Sequence, residues 1–73
     1  MEPREQLGHN IRRLRLAQKR SQLDLGLSSD IDMSEISKLE LGKKDPQLNT
    51  MVKVAAGLGV SLSELVEGIG PRR

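Results

Sequence analysis

Ser21-Gln22-Leu23-Asp24-Leu25-Gly26-Leu27-Ser28-Ser29-Asp30-Ile31-Asp32-Met33-Ser34-Glu35-Ile36-Ser37-Lys38-Leu39-Glu40-Leu41-Gly42 is the stretch that decides the fold. It reads as two short helices around a turn of about three residues. Ser21 suits an N-cap, because its hydroxyl can accept from a first-turn amide N–H. Gly26 costs a helix about 1 kcal/mol relative to Ala, so it marks a close-packing position. Ser28, Ser29 and Asp30 end this helix, and Asp30 suits a left-handed turn because Asp tolerates positive φ better than most residues. Asp32 then caps the next helix, with Glu35 three residues on in the capping-box pattern. That helix runs from Met33 to Glu40 and stops at Gly42. Ile36 and Leu39 lie about 60° apart around its axis and define the inner side. Ser34, Ser37, Lys38 and Leu41 point the opposite way, with Met33 and Glu35 flanking.

Outward from this pair, the pattern stays helical. Leu7, Ile11, Leu14 and Gln18 form one stripe of a first helix from about Arg4 to Lys19. Arg15 borders that stripe, whereas Arg12, Arg13 and Lys19 can stay in water. Downstream, Lys43-Lys44-Asp45-Pro46 reads as a basic loop, and Pro46 opens a fourth helix. Leu48, Met51, Ala55 and Leu58 share one face of it, with Val54 nearby, and Gly59 breaks it. Ser61 and Glu64 give a second capping box to a fifth helix carrying Leu62, Leu65 and Val66. Gly68, Gly70 and Pro71 end regular structure, ahead of a basic Arg72-Arg73 tail. The expected class is all-α, five short helices in one domain spanning 1–73, with a core over about 4–67 and a loose tail at 68–73. Leu23 is expected in the core; Leu16, Leu27 and Leu41 suit either core or an exposed patch.

The 73-residue chain has no Cys and one His, so neither a disulfide nor a structural zinc site is expected to hold it together. No apolar run approaches the roughly 18–20 residues needed to cross a bilayer, and no signal-like stretch follows the charged start. A cytoplasmic protein is expected. Twelve Lys and Arg against ten Asp and Glu give a net charge of only +2. The charge is polarised, however: residues 1–20 carry net +4, 21–40 net −4 and 41–53 net +2. Such polarity fits a polyanion partner or a solvated mixed-charge surface. Phe, Tyr and Trp are absent, which removes the stacking platforms on which single-stranded nucleic acids are gripped. The serines lack a base and an orienting acid, His9 has no second ligand, and Gly57-Leu58-Gly59 reads as a helix end rather than a phosphate cradle. No enzyme, metal or cofactor is expected.

The two central helices have the layout of a helix-turn-helix, in which the second helix enters the major groove while the first crosses the phosphates. Small polar side chains on the outward face of 33–38 would let that helix approach base edges. The sequence resembles the lambda repressor and Cro-like, or Xre-type, helix-turn-helix family. The resemblance rests on Ile-Arg-Arg-Leu-Arg at 11–15, Ser-Gln at 21–22, Ile36, Leu39-Glu40-Leu-Gly-Lys-Lys at 39–44, Pro46, Leu48, and Ala-Gly-Leu-Gly-Val-Ser-Leu-Ser-Glu-Leu at 56–65. It covers about residues 7–66.

That resemblance implies a role for each matching position. Gln22, after Ser21, bonds a phosphate and braces the recognition helix. Met33, Ser34 and Lys38 read bases, with Glu35 and Ser37 as further contacts; Met33 could equally fill a surface groove, and Glu35 could serve its helix cap. Lys43 and Lys44 clamp the sugar-phosphate chain. Arg15 and Glu40 form a partly buried ion pair tying the first helix to the third, a pairing that geometry favours independently because each borders an apolar face. Arg20, Gly26 and Asp30 stand where the family usually has an aliphatic residue, Ala and Gly.

The expected function is therefore a sequence-specific transcriptional regulator that binds double-stranded DNA as a homodimer, without a small-molecule effector. Pairing is expected through Leu62, Leu65, Val66 and Ile69, because the acidic middle of the chain implies weak binding by one copy. The size suits a restriction-modification controller or an autoregulating antitoxin. The alternative is a protein-interaction adaptor on the same helices, presenting the acidic middle and exposed leucines to a partner.

Overall fold

The computed structural model describes residues 1–70. Its helices are α1 (Pro3–Ala17), α2 (Gln22–Ser29), α3 (Met33–Glu40), α4 (Leu48–Leu58) and α5 (Leu62–Leu65). Pro71, Arg72 and Arg73, the end of the expected tail, lie outside the described residues.

Side-chain chemistry sets the starts of three helices. Glu5 accepts from the backbone N–H of Glu2 at 3.0 Å, and Pro3 opens α1 where its missing N–H costs nothing. Ser21 and Asp24 form a reciprocal box at the head of α2, each backbone N–H donating to the other side chain at 3.0 Å. Ser61 and Glu64 do the same for α5, at 3.0 and 3.1 Å. The ends of α1 to α4 share a left-handed residue: Lys19 (φ 56°), Asp30 (57°), Gly42 (71°) and Gly59 (69°). After each, the next backbone N–H reaches back to an orphan carbonyl, as when Lys43 donates to Lys38 at 3.0 Å and Val60 to Ala55 at 3.0 Å.

The core gathers Leu7 and Ile11 from α1, Leu25 from α2, Ile36 and Leu39 from α3, Val54, Ala55 and Leu58 from α4, and Leu65 from α5. Helix α2 lies against both α3 and α4, and α1 lies against α3. Two glycines allow the closest approaches. A Cβ on Gly8 would stand 2.7 Å from the Glu40 carbonyl oxygen and closer still to that of Leu39. One on Gly26 would stand 2.7 Å from the Ile31 oxygen, so the bare backbone there fixes the turn before α3.

Several expectations change. The buried sector of α2 is Leu25, Gly26 and Ser29; Leu23 lies roughly 110° round the helix from its centre and is 53% exposed. Leu16, Leu27 and Leu41 are also exposed. Leu48 occupies the opening turn of α4 at the edge of the face made by Met51, Val54, Ala55 and Leu58, and is 60% exposed. Helix α4 begins two residues after Pro46, with Gln47 as its cap residue. Helix α1 stops at Ala17, so Gln18 does not extend the apolar stripe; its amide donates to the Leu58 carbonyl at 2.7 Å. At α3, Asp32 makes no side-chain cap and no box with Glu35 forms, because Glu35 is engaged by Lys44.

Arg20 explains how a cation replaces an aliphatic residue. Its guanidinium donates to the Gly57 carbonyl (2.6 Å), to Gln18 Oε1 (3.0 Å), to the Asp24 carbonyl (3.3 Å) and to Ser28 Oγ. It thus satisfies carbonyls at the C-terminal end of α4, where positive charge also opposes the helix dipole. Among the described residues, no helix is long and apolar enough to cross a membrane.

Candidate nucleic-acid interface

Helix α3 is anchored from within. Ile36 is fully buried and Leu39 nearly so, and their spacing turns the rest of the helix outward. Met33, Ser34 and Lys38 are exposed on that outward side, while Ser37 and Glu35 are half-buried beside them. Ser21, Lys43 and Lys44 are exposed and Gln22 is half-buried. The base-facing and phosphate-facing sets thus border one surface formed by α3, the start of α2 and the α3–α4 loop.

The orientation of α3 is set by a carboxylate at its last turn. Arg15 donates to Glu40 through Nε at 2.6 Å and through Nη2 at 2.9 Å, with side chains 8% and 2% exposed. This bidentate geometry is the strong form of the pair, and the carboxylate raises the Arg15 pKa further above its ordinary value. Gln22 Nε2 donates to the same carboxylate at 3.1 Å, and Arg15 Nη1 reaches the Arg20 carbonyl at 2.8 Å. One buried carboxylate therefore joins α1, α2 and α3. Gln22 touches it from the helix whose start faces the expected phosphate, so a contact made by Gln22 is a contact with the brace of α3.

Other side chains are committed differently. The Ser21 hydroxyl accepts the Asp24 N–H, which leaves its own hydrogen available to an outside acceptor. That arrangement holds the Asp24 carboxyl below the ordinary range, chiefly through the backbone N–H of Ser21 and then its hydroxyl. Lys44 Nζ donates to Glu35 Oε1 at 2.9 Å, pairing an expected phosphate contact with an expected base contact. Leu65 is fully buried in the chain's own core and so has no surface for a second copy; Leu62, Val66 and Ile69 are partly exposed. Among the described residues, no three His, Cys, Asp or Glu side chains are gathered to hold a metal.

Asn10 went unread in the sequence. It is 2% exposed, donates from Nδ2 to the carbonyls of Leu65 (2.9 Å) and Glu67 (2.8 Å), and accepts from Gln6 at 2.9 Å. Its signal was its place in the α1 stripe, next to Ile11 and three after Leu7, where a polar residue must find buried partners.

A family pattern described as helix-turn-helix matches residues 11–65. The chain is 35% identical over 66 residues to an uncharacterised HTH-type transcriptional regulator, y4dJ, of Sinorhizobium fredii, covering 90% of this chain and 86% of that one. It is 35% identical over 63 residues to the control protein C.MunI of Mycoplasma sp., covering 85% of each. Its backbone matches the restriction-modification controller protein C.AhdI from Aeromonas hydrophila with a TM-score of 0.83 at 31% identity, over 85% of this chain and 94% of that one. With the inner anchoring of α3, the turn at Asp30 and these likenesses together, the chain belongs to the helix-turn-helix family of the lambda repressor and Cro-like, Xre type.

Proposed function

We propose that this DNA-binding regulator works as a homodimer, setting α3 of each copy into the major groove of a two-fold operator. The observation that carries the reading is the division of α3: Ile36 and Leu39 are sealed inside, while Met33, Ser34 and Lys38 stand free of the fold. Lys38 can donate to guanine O6 or N7, Ser34 to either kind of edge, and Met33 can meet a thymine methyl. Glu35 and Ser37 flank these contacts. Ser21, Gln22, Lys43 and Lys44 hold the phosphates and set the register.

One such module reads only a few base pairs, so affinity and specificity come from two half-sites about 34 Å apart. Leu62, Val66 and Ile69, partly exposed at the α5 end, supply the pairing surface. The likeness to proteins named as controllers favours a controller of restriction-modification genes over an antitoxin. We place it in the cytoplasm, as a single domain acting on DNA without a small-molecule effector.

Selection of bound sites from random duplex DNA, with light scattering of the free protein and the complex, tests the reading. A near-palindromic motif and a two-copy complex are expected. A strictly monomeric protein, with and without DNA, removes the pairing. Binding that ignores salt, or no enrichment of any sequence, removes DNA reading and favours the adaptor.

A further inference from the structure

Glu35 and Lys44 face each other across a cleft of about 450 Å³ between the first turn of α3 and the loop that follows the helix. Lys43, Asp45, Pro46 and Gln47 complete its walls. Lys44 Nζ donates to Glu35 Oε1 at 2.9 Å, and both side chains keep solvent access, 45% and 27% exposed. The two lysines here meet two carboxylates, so the cleft offers an approaching phosphate no net charge. A carboxylate oxygen and a phosphate oxygen make the same demand on an ammonium: a short, charge-assisted hydrogen bond. Glu35 therefore holds Lys44 in the way a phosphate would.

We infer that Glu35 is a specificity-determining residue: it competes with DNA phosphate for Lys44, and its cost is offset only where a base presents an amino group to it. The inference rests on the DNA-binding reading above. An exposed pair of this kind is weak, equivalent to roughly a two- to five-fold effect on an equilibrium, so phosphate can displace it. Displacement leaves Glu35 in the first turn of α3, beside Met33 and Ser34, as an anionic acceptor with no donor. Cytosine N4 or adenine N6 in the major groove supplies one. Other bases leave the carboxylate unpaired beside the phosphates. Random sequence bears that loss; the chosen site recovers it.

The test compares wild type, Glu35→Gln, Lys44→Gln, the double variant and Glu67→Gln on two duplexes across a salt series. One duplex has random sequence and the other is the site that wild type selects. Thermal melts confirm that each variant is folded. Glu35→Gln is expected to bind the random duplex about two- to five-fold more tightly, with a log-affinity slope against log salt steeper by about 0.9. On the selected duplex it is expected to show no gain, or a loss. The slope change should vanish when Lys44 is also Gln. Glu67→Gln, which removes one negative charge beyond α5, should leave the slope unchanged. Equal gains on both duplexes, no gain on the random one, or the same gain from Glu67→Gln overturns the inference. Failure of wild type to bind either duplex at low salt overturns the DNA-binding reading itself.

Discussion

Replacing Arg15 by Ala removes two of the three side-chain donors to Glu40, at 2.6 and 2.9 Å, and leaves only the Gln22 amide at 3.1 Å. The Glu40 side chain is 2% exposed, so water cannot readily take the place of the guanidinium. Breaking a buried pair from one side costs about 3–5 kcal/mol, because a charge stays buried without its partner. A chain of 73 residues has a total stability of about 4–11 kcal/mol, so this one change removes a large part of it. At this size each kcal/mol moves Tm by roughly 4–8 °C, and a fall of roughly 15–30 °C is expected. Urea unfolding and thermal melting, followed by far-ultraviolet circular dichroism, measure it. Arg15→Met with Glu40→Leu should recover most of the loss, since removing both charges removes the orphan. A single Arg15→Ala variant within about 1 kcal/mol of wild type would refute the reasoning, because it would mean that Glu40 finds water or another donor.

Four further outcomes follow from named contacts. Ser29 Oγ is buried without a hydrogen-bond partner, so Ser29→Ala should raise stability by about 1 kcal/mol in urea unfolding. Gly8→Ala drives a methyl into the Leu39 and Glu40 carbonyls; it should cost about 1–3 kcal/mol and lower DNA affinity with it, as melting and titration together would show. Lys38→Ala should weaken binding or relax base preference by about 1–3 kcal/mol while leaving Tm nearly unchanged, because the side chain is exposed. Asp24, held below the ordinary carboxylate range when folded, favours the folded state above its unfolded pKa. That contribution is lost as pH falls through the lowered folded value, so Asp24→Asn should lose less Tm than wild type on acidification.

The parts of this fold legible in the sequence are those that short-range chemistry decides. Ser21, Ser61, Asp30, Gly42 and Gly59 mark helix limits because each acts within four residues of itself. The inner side of α3 was legible for the same reason: Ile36 and Leu39 admit one orientation. Long-range partners were not legible. Arg20 caps a helix that begins 28 residues later, and Asn10 ties α1 to a segment 55 residues on. Neither distance leaves a periodic trace. Leu23 and Leu48 were misplaced because apolar character was weighed without the angular sector that packing selects. The Asp32–Glu35 box failed because a local pattern lost to a cation arriving from the next loop.

Asn10 bears on more than the folding of one copy. Helix α5 is only four residues long, too short to hold a direction by its own hydrogen bonds. Two N–H groups of a single amide on α1 fix its trailing carbonyls in place. In a two-fold pair built on Leu62, Val66 and Ile69, the tilt between subunits is inherited from that amide. The tolerance for half-sites moved one base pair nearer or farther would then be governed from α1, on an element that meets neither the bases nor the second subunit.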